Sequence, residues 1–234
     1  MYLSVKSFFD KFISAVALVV LSPVLLVIAI AIKINSPGSV LFKQGRVGKN
    51  GKAFAMYKFR SMVQDAEKQG TGLFNYEGDP RVTKVGRFLR DTSLDELPQL
   101  FNVVKGDMSI IGPRPSVTYE LGDYETLNNR YKKRFLVLPG ITGLAQVSGR
   151  NDVDWDEKIN YDNKYVDLLK KDGLKTDLAI IIKTLLVVLK KQDIYENKNN
   201  QNINDEDAAK LAAEEVIRKA HERDKGDVLN GRYQ

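Results

Sequence analysis

Residues 12–32 read "FISAVALVVLSPVLLVIAIAI", a run of 21 positions without a charged side chain. A straight α-helix of this length extends about 31 Å, which is about the thickness of a bilayer hydrocarbon core. The run is too long for the apolar part of a cleavable signal peptide, and no clear small-residue cleavage site ends it. The sequence therefore predicts a helix that enters a membrane and anchors the residues that follow.

Ser22 and Pro23 lie at the centre of this run. Proline lacks an N–H and crowds the carbonyl group of Val19, so a kink or break is expected there. The hydroxyl of Ser22 is able to satisfy a freed backbone group. Lysines stand on both sides of the run and give no clear positive-inside asymmetry. Two topologies stay open: a helix-break-helix that returns to the side it entered from, and a kinked single span.

Composition narrows the chemistry of the remaining chain. The 234 residues include no cysteine and a single histidine, His221, so thiol chemistry, disulfides and histidine-based catalysis are not expected. The net charge is +6, and residues 33–60 hold seven basic side chains and no acid. Such a block suits anionic lipid headgroups, phosphates or nucleic acid, and a solvated basic surface is the alternative.

The rest of the chain predicts an α+β fold that is mostly helical. Residues 40–60 read as a β-hairpin around Asn50-Gly51, and 61–80 as a polar loop. Helices are expected over 83–90, about 116–134, from Trp155 onward, and after an N-cap at Asp177, some of them amphipathic and interfacial. A solvated helix is expected over about 206–224.

The stretch "SLDELPQLFNVVKGDMSIIGPRP", residues 93–115, concentrates the candidate chemistry. Ser93 and Glu96 have the spacing of a capping box, which places Asp95 and Glu96 in the first turn of a helix. Free N–H groups favour anions at that position. Arg114 stands between two prolines that stiffen its backbone. Adjacent carboxylates can supply a nucleophile, an acid or base, or a metal ligand.

Each of these residues also has a purely structural reading. The dyad of Asp95 and Glu96 is explained equally by helix capping, and Arg114 by a structural ion pair. Asp162 lies within an apolar helical stripe, where a buried hydrogen bond would account for it. The residues alone indicate anion handling at a membrane surface and name no reaction.

Taken together, the motifs resemble the bacterial sugar transferase family in its small monotopic phosphoglycosyltransferase form. The resemblance covers about residues 1–193. It rests on the Ser22-Pro23 pair, "YKFRSM" at 57–62, "RVTKVGRFLRDTSLDELPQL", "NVVKGDMSIIGPRP", "PGITGLAQVSGRN" and "W-x6-D-x2-YV" from Trp155.

The resemblance implies the transfer of a sugar-1-phosphate from a UDP-sugar to a polyprenyl phosphate, typically undecaprenyl phosphate, with release of UMP. This is the first membrane step of exopolysaccharide, capsule or glycoconjugate synthesis. Asp95 would be the nucleophile, forming a phosphoglycosyl-aspartate, and a ligand of Mg²⁺, with Glu96 as its partner acid or base. Ser22 and Pro23 match the pair that turns the membrane helix back. The other candidate phosphate- or substrate-binding residues, of which the two acids have supporting roles, are Lys58, Arg60, Arg90, Arg114, Arg150, Asp162 and Asp177.

These implications give three expected segments: an anchor over 1–36, a catalytic domain over 37–193 and a charged, dispensable extension over 194–234. The resemblance also implies a short form without a large N-terminal membrane domain. It places the enzyme at the bacterial inner membrane with its catalytic domain on the cytoplasmic face. Membrane lipids are expected partners, a homodimer is plausible, and nucleic acid is not expected.

Two other classes of function are compatible with the residues. One is a non-enzymatic, membrane-anchored scaffold that binds anionic lipid or nucleic acid through residues 33–60. The other is a membrane phosphatase or kinase that uses aspartyl phosphate chemistry, although no G-x-x-x-x-G-K-[ST] loop is present. The donor sugar cannot be read from the sequence.

Overall fold

A computed structural model describes residues 2–66, 78–118, 124–148 and 155–189. The fold is mostly helical, as the sequence predicts, with one small sheet at the expected hairpin and a second small sheet that the sequence analysis did not predict. The helices are α1 (Tyr2–Asn35), α2 (Lys84–Asp91), α3 (Gln99–Lys105), α4 (Asn129–Lys132), α5 (Leu144–Ser148) and α6 (Trp155–Leu189). The strands are β1 (Leu41–Val47), β2 (Ala53–Phe59), β3 (Ser109–Ile111) and β4 (Gly140–Thr142).

Helix α1 contains the apolar run and is, within the described ranges, the one helix long and apolar enough to cross a membrane. The expected helix-break-helix is not seen, because α1 stays helical through Pro23. The Ser22 hydroxyl donates a 2.7 Å hydrogen bond to the carbonyl of Val19, the group that proline leaves without its helical partner. This replacement explains how the backbone stays helical. Only 11% of the most apolar 18-residue window is buried, so the middle of α1 presents its side chains outward.

The C-terminal end of α1 packs against β2 and α2. Ile28 and Ile32 form a buried cluster with Phe59 of β2 and Leu89 of α2. Beyond these side chains, the amide of Val85 donates to the side chain of Asn35 at the end of the helix. The hydrophobic effect and this hydrogen bond therefore hold the end of the apolar helix on the folded domain.

The N-terminal end of α1 is tied to the same domain by polar contacts. The Tyr2 hydroxyl donates to Asp177 of α6 over 2.7 Å, and the ammonium of Lys6 lies 3.0 Å from the same carboxylate. Asp10 is buried and accepts a hydrogen bond from Ser109 of β3. Both ends of α1 thus contact one folded body, and Ser14 between them is also buried, whereas most of the apolar side chains in the middle of the helix face outward.

Strands β1 and β2 form the predicted hairpin, with the register running from Leu41 opposite Phe59 to Val47 opposite Ala53. Asn50 and Gly51 lie in its turn at φ 55° and 78°, a left-handed conformation that these two residue types tolerate best. The side chain of Asn102 in α3 bonds to the backbone of β2 at Ala55 and Tyr57. Helix α3 is therefore fixed to the hairpin.

Strands β3 and β4 pair in parallel, with Ser109 opposite Gly140 and Ile111 opposite Thr142. A Cβ atom at Gly140 would lie 2.0 Å from the amide nitrogen of Gly112, so the backbones approach too closely for any other residue. The segment that follows β3 is thereby held against the segment that precedes β4.

Helix α6 covers this parallel pair. Tyr165, Val166, Leu169 and Ile180 of α6 pack with Ile111 of β3 in a buried cluster. The predicted N-cap at Asp177 is wrong. The irregular point of the helix is Asp172 (φ −133°, ψ 37°), and Asp177 lies within the helical part that follows it. The carboxylate of Asp177 accepts hydrogen bonds from Tyr2 and Tyr165 instead of capping the helix.

The predicted helix over 116–134 is only partly present. Residues 116–118 are not helical, and the described part after them consists of short turns: Tyr124–Thr126, α4 and the 3₁₀ turn Lys133–Leu136. The helix predicted over 206–224 and the extension from residue 194 lie outside the described residues.

Candidate active site

Asp95 and Glu96 lie in a single 3₁₀ turn, Leu94–Glu96, between α2 and α3. The predicted capping box is not formed. Ser93 adopts a left-handed conformation with φ 56°, and its side chain makes no capping hydrogen bond. The carboxylate of Glu96 is instead engaged by two basic side chains. Helix capping therefore does not account for the dyad.

Glu96 bridges two cations. Its Oε1 atom accepts from Nζ of Lys58 on β2 over 2.7 Å and from Nη2 of Arg114 over 2.8 Å. Burial opposes ionisation of Glu96, but the charges of Arg114 and Lys58 outweigh it and hold the pKa of Glu96 well below its usual value. Glu96 is therefore ionised at neutral pH. Burial in turn lowers the pKa of Lys58.

Asp95 has the opposite environment. It is buried, and burial raises its pKa to about 6, an effect that the Glu96 charge reinforces and the charges of Lys58, Arg90 and Arg114 oppose. The two adjacent carboxyl groups therefore titrate far apart. Such a separation is typical of acid and base residues in active sites.

Arg90 is oriented toward the dyad by Ser61, a residue that the sequence did not single out. Its Nε donates a 2.8 Å hydrogen bond to the Ser61 hydroxyl, and its charge lowers the pKa of Asp95. The Ser61 carbonyl accepts from the amide of Thr83, and a Cβ at Gly86 would lie 1.8 Å from that carbonyl. Ser61 stands inside the "YKFRSM" motif, which is the signal that could have identified it.

The loop 113–115 presents Arg114 to Glu96. Its two prolines carry no N–H, and all three of its carbonyl groups accept hydrogen bonds. The amide of Gly140 donates to Pro113, Arg134 donates to Arg114, and Arg46 donates to Pro115. The backbone that carries the Arg114 side chain is therefore fixed from three sides.

Arg134 is a second residue that the sequence analysis missed. It is 3% exposed, and its Nη2 lies 2.9 Å from Oδ2 of Asp162, which is 1% exposed. Burial raises the pKa of Asp162 to about 6, against the opposing charge of Arg134. The structural interpretation of Asp162 is thus supported in part, because Asp162 is buried and paired with Arg134. That partner also donates a hydrogen bond to the backbone of Arg114, next to the dyad.

Two predicted substrate-binding residues, Arg60 and Asp177, make their described contacts away from the dyad, and the position of a third, Arg150, is not described. Within the described residues, the guanidinium group of Arg60 donates its hydrogen bonds to Ser36 and Pro37, just after the end of α1. Asp177 binds the N-terminal end of α1, as given above. Arg150 lies outside the described residues.

The described residues contain no group of three or more acidic or histidine side chains that could hold a metal ion by themselves. Mg²⁺ is usually bound by one or two carboxylates together with substrate phosphates and water. Asp95 supplies one such carboxylate, whereas Glu96 is occupied by two cations. The donor set therefore fits a Mg²⁺ that is shared with a phosphate-bearing substrate.

Comparison with known proteins gives concordant matches. The model of the family described as "Bacterial sugar transferase" matches residues 1–191. The undecaprenyl-phosphate galactose phosphotransferase of Salmonella typhimurium is 43% identical over 204 residues, covering 81% of this chain and 41% of that protein. The UDP-glucose:undecaprenyl-phosphate glucose-1-phosphate transferase of Xanthomonas campestris is 42% identical over 195 residues, with 81% and 40% covered.

The exopolysaccharide production protein ExoY of Rhizobium meliloti is 38% identical over 204 residues, which cover 81% of this chain and 88% of that protein. This chain thus spans less than half of the length of the first two relatives and most of the length of the third. The match over residues 1–191 includes α1, the dyad and α6. The chain therefore belongs to the bacterial sugar transferase family.

Proposed function

We propose that this protein is a phosphoglycosyltransferase that moves a sugar-1-phosphate from a UDP-sugar to undecaprenyl phosphate and releases UMP. The observation that carries the proposal is the pair of adjacent carboxylates with separated pKa values, enclosed by Lys58, Arg90 and Arg114. Phosphoryl transfer depends mainly on positioning and on neutralising charge, and these residues supply both. The names of the Salmonella and Xanthomonas relatives support the same reaction.

The first half of the reaction is assigned to Asp95. An oxygen of its ionised carboxylate attacks the β-phosphorus of the donor, and the bond from that phosphorus to the bridging oxygen breaks. The electron pair of that bond leaves with UMP, and a phosphoglycosyl-aspartate remains. Lys58, Arg90 and Arg114 hold the phosphate oxygens, and a Mg²⁺ bound by Asp95 and the diphosphate would neutralise further negative charge.

The second half regenerates Asp95. A phosphate oxygen of undecaprenyl phosphate attacks the same phosphorus, and the bond to Asp95 breaks, which restores the carboxylate and yields the lipid-linked sugar diphosphate. Glu96 is a poor proton donor while Lys58 and Arg114 pair with it. When the phosphoryl group on Asp95 takes over these two cations, Glu96 is released to accept the proton of a singly protonated acceptor phosphate, and it passes that proton to water.

A re-entrant α1 is the topology that we infer. The support for this proposal is that both ends of α1 contact the same folded domain, which would keep both ends on one side of a membrane that the domain does not enter. The outward side chains of its middle are apolar, with Val19 74% and Val20 68% exposed. Exposed apolar side chains also occur on α2, α3 and the end of α6: Phe88, Phe101, Leu178, Ile182 and Leu185. These faces would rest on the lipid surface.

This arrangement suits a lipid acceptor. Phe88 and Phe101 stand in the helices on either side of the dyad, so apolar contacts with the membrane would place Asp95 at the interface where the polyprenyl phosphate is found. We infer that the domain lies on the cytoplasmic face of the bacterial inner membrane, where nucleotide sugars are made. The expected domain limits at 36 and 193, the dispensable extension and the homodimer remain part of this proposal.

The deciding experiment measures UMP release from a panel of UDP-sugars with undecaprenyl phosphate and Mg²⁺. Because the named relatives act on galactose and glucose donors, UDP-galactose and UDP-glucose are tested first, followed by N-acetylated donors. We expect release from at least one donor and a radiolabelled sugar-phosphate on the protein when the acceptor is omitted. Asp95→Asn should lose both signals.

The control is Asp107→Asn, which alters a carboxylate that pairs with Lys105 near α3 and is expected to keep turnover. Turnover by Asp95→Asn equal to wild type would rule out the covalent mechanism. Salt-sensitive binding of anionic vesicles, without turnover of any donor, would instead support the scaffold alternative.

A further inference from the structure

Arg134 and Asp162 form an ion pair that is almost completely enclosed by protein. The two side chains are each 2% exposed, and Nη2 of Arg134 lies 2.9 Å from Oδ2 of Asp162. Burying two opposite charges costs desolvation energy that their attraction often does not recover, so such a pair is a weak source of stability. A pair of this kind calls for an explanation other than stability.

The contact that distinguishes Arg134 is its hydrogen bond to the loop of residues 113–115, called the active-site loop below. The same Nη2 atom donates to the main-chain carbonyl of Arg114. Pro113 and Pro115 have no backbone N–H group. At these two positions the loop can therefore form backbone hydrogen bonds only through its carbonyl groups, as acceptors. Arg134 supplies the donor for the central residue, between the donors from Gly140 and Arg46.

The side chain that this carbonyl anchors reaches the dyad. Nη2 of Arg114 lies 2.8 Å from Oε1 of Glu96, so direct contacts join Asp162, Arg134, Arg114 and Glu96 in series. We propose that Arg134, oriented by Asp162, is a positioning residue that fixes Arg114 for its contact with the donor phosphates. This rests on the proposed function. Asp162 then acts through Arg134 and not by touching the substrate.

The chain provides matched controls for this proposal. Two other ion pairs join the same segment to α6: Arg130 lies 3.3 Å from Asp156, and Lys133 lies 2.8 Å from Asp167. Both are exposed, and none of the contacts described for Arg130 or Lys133 reaches residues 113–115. A variant that loses one of these exposed pairs tests whether weaker attachment of α6 is by itself enough to lower activity.

The decisive variant replaces the pair by apolar residues, Arg134→Met with Asp162→Leu. Apolar replacement of a buried ion pair often preserves folding, so this variant separates positioning from stability. We expect a melting temperature near that of wild type and a fall in kcat/KM for the UDP-sugar of about 100-fold, the scale of a misplaced catalytic contact. Arg130→Gln should stay within about twofold of wild type.

A mutant cycle shows whether Arg134 acts through Arg114. If it does, adding the apolar pair to Arg114→Met should cost no further activity, because the contact that it positions is already gone. The proposal would be overturned if the fold-losses in kcat/KM of the apolar pair and of Arg114→Met multiplied in the combined variant. Wild-type kcat/KM in the folded apolar variant would also overturn it. If the apolar variant does not fold, Arg134→Lys and Asp162→Asn replace it in the same cycle.

A second readout needs no turnover, so it separates this inference from the proposed function. In protein with ¹⁵N-labelled arginine, the Nε–H resonance of Arg114 is assigned by its absence from Arg114→Met. That resonance should shift in the apolar variant and stay in place in Arg130→Gln. A wild type without turnover of any donor would refute the proposed function, whereas an unchanged Arg114 resonance would refute the positioning role.

Discussion

The hydroxyl of Tyr2 donates a 2.7 Å hydrogen bond to Oδ2 of Asp177, although 175 positions separate the two residues. Lys6 lies 3.0 Å from the same carboxylate, and both partners of that ion pair are less than a tenth exposed. The first turns of the apolar helix are therefore fixed to α6. If the domain stays outside the bilayer, the N-terminal end of α1 stays on the same side.

Labelling of Ser4→Cys tests this topology, because Ser4 is exposed and the chain has no native cysteine. We expect a membrane-impermeant maleimide to label Ser4→Cys in inside-out vesicles and not in intact spheroplasts. Lys84→Cys on α2 reports the side of the catalytic domain and should give the same pattern. Labelling of Ser4→Cys from the outside, with Lys84→Cys protected, would establish a spanning helix.

Asp177→Asn should weaken the attachment of the N-terminal end of α1 to α6 and so lower the free energy of unfolding. It removes the charge that pairs with the buried ammonium of Lys6, and breaking a buried pair typically costs about 3 kcal/mol or more. We expect a loss at the low end, about 3 kcal/mol in the free energy of unfolding, because Lys6 keeps Asp10 at 3.2 Å. Chemical denaturation in detergent measures it. An unchanged KM for the UDP-sugar in the folded fraction would agree with a role in holding α1. A raised KM would instead support the substrate-binding role that the sequence analysis predicted for Asp177.

Arg60 has a comparable test. It donates to the carbonyl groups of Ser36 and Pro37, which follow the apolar helix. Arg60→Met should lower the free energy of unfolding by about 2 to 3 kcal/mol through the lost charged hydrogen bonds. The KM for the UDP-sugar should change less than about twofold, compared with a clear rise for Lys58→Met. A large rise in KM for Arg60→Met at normal stability would support the phosphate-binding role predicted from the sequence.

The raised pKa of Asp95 predicts a pH dependence of activity. Only the carboxylate form attacks phosphorus, so kcat/KM should fall on the acid side with an apparent pKa of about 6. Lys58 lowers the pKa of Asp95, so Lys58→Met should move this acid limb to higher pH. A pH–rate profile of both proteins checks the prediction. A limb near pH 4, unmoved in Lys58→Met, would contradict it.

The same shift has a consequence for stability. A carboxyl group whose pKa is higher in the folded state adds stability below about pH 4, and that contribution is lost as the pH rises through about 6. Asp95→Asn removes this cost of ionising a buried carboxyl group and should raise the free energy of unfolding by about 3 kcal/mol at pH 8, and by little at pH 4. Urea denaturation at the two pH values measures the difference. Equal effects at both values would count against the raised pKa.

Much of the architecture follows from local sequence signals. The apolar run alone determines a long helix, and Asn50-Gly51 determines the turn of the hairpin because those residues accept positive φ angles. The Ser22 bond to Val19 also follows from local chemistry. Ser93 and Glu96 were misleading, since capping-box spacing is local whereas the partners of Glu96, Lys58 and Arg114, come from distant segments.

The sequence by itself thus determined the long apolar helix, the hairpin, the pair of adjacent carboxylates and the family, because each depends on short contiguous motifs. Only the tertiary structure decided which charges meet. Asp162 and Asp177 look alike as acids in apolar helical stretches, yet one pairs with Arg134 beside the active-site loop and the other with Lys6 at the start of α1. A buried charge is paired by the nearest cation in space, and chain folding alone sets that neighbour.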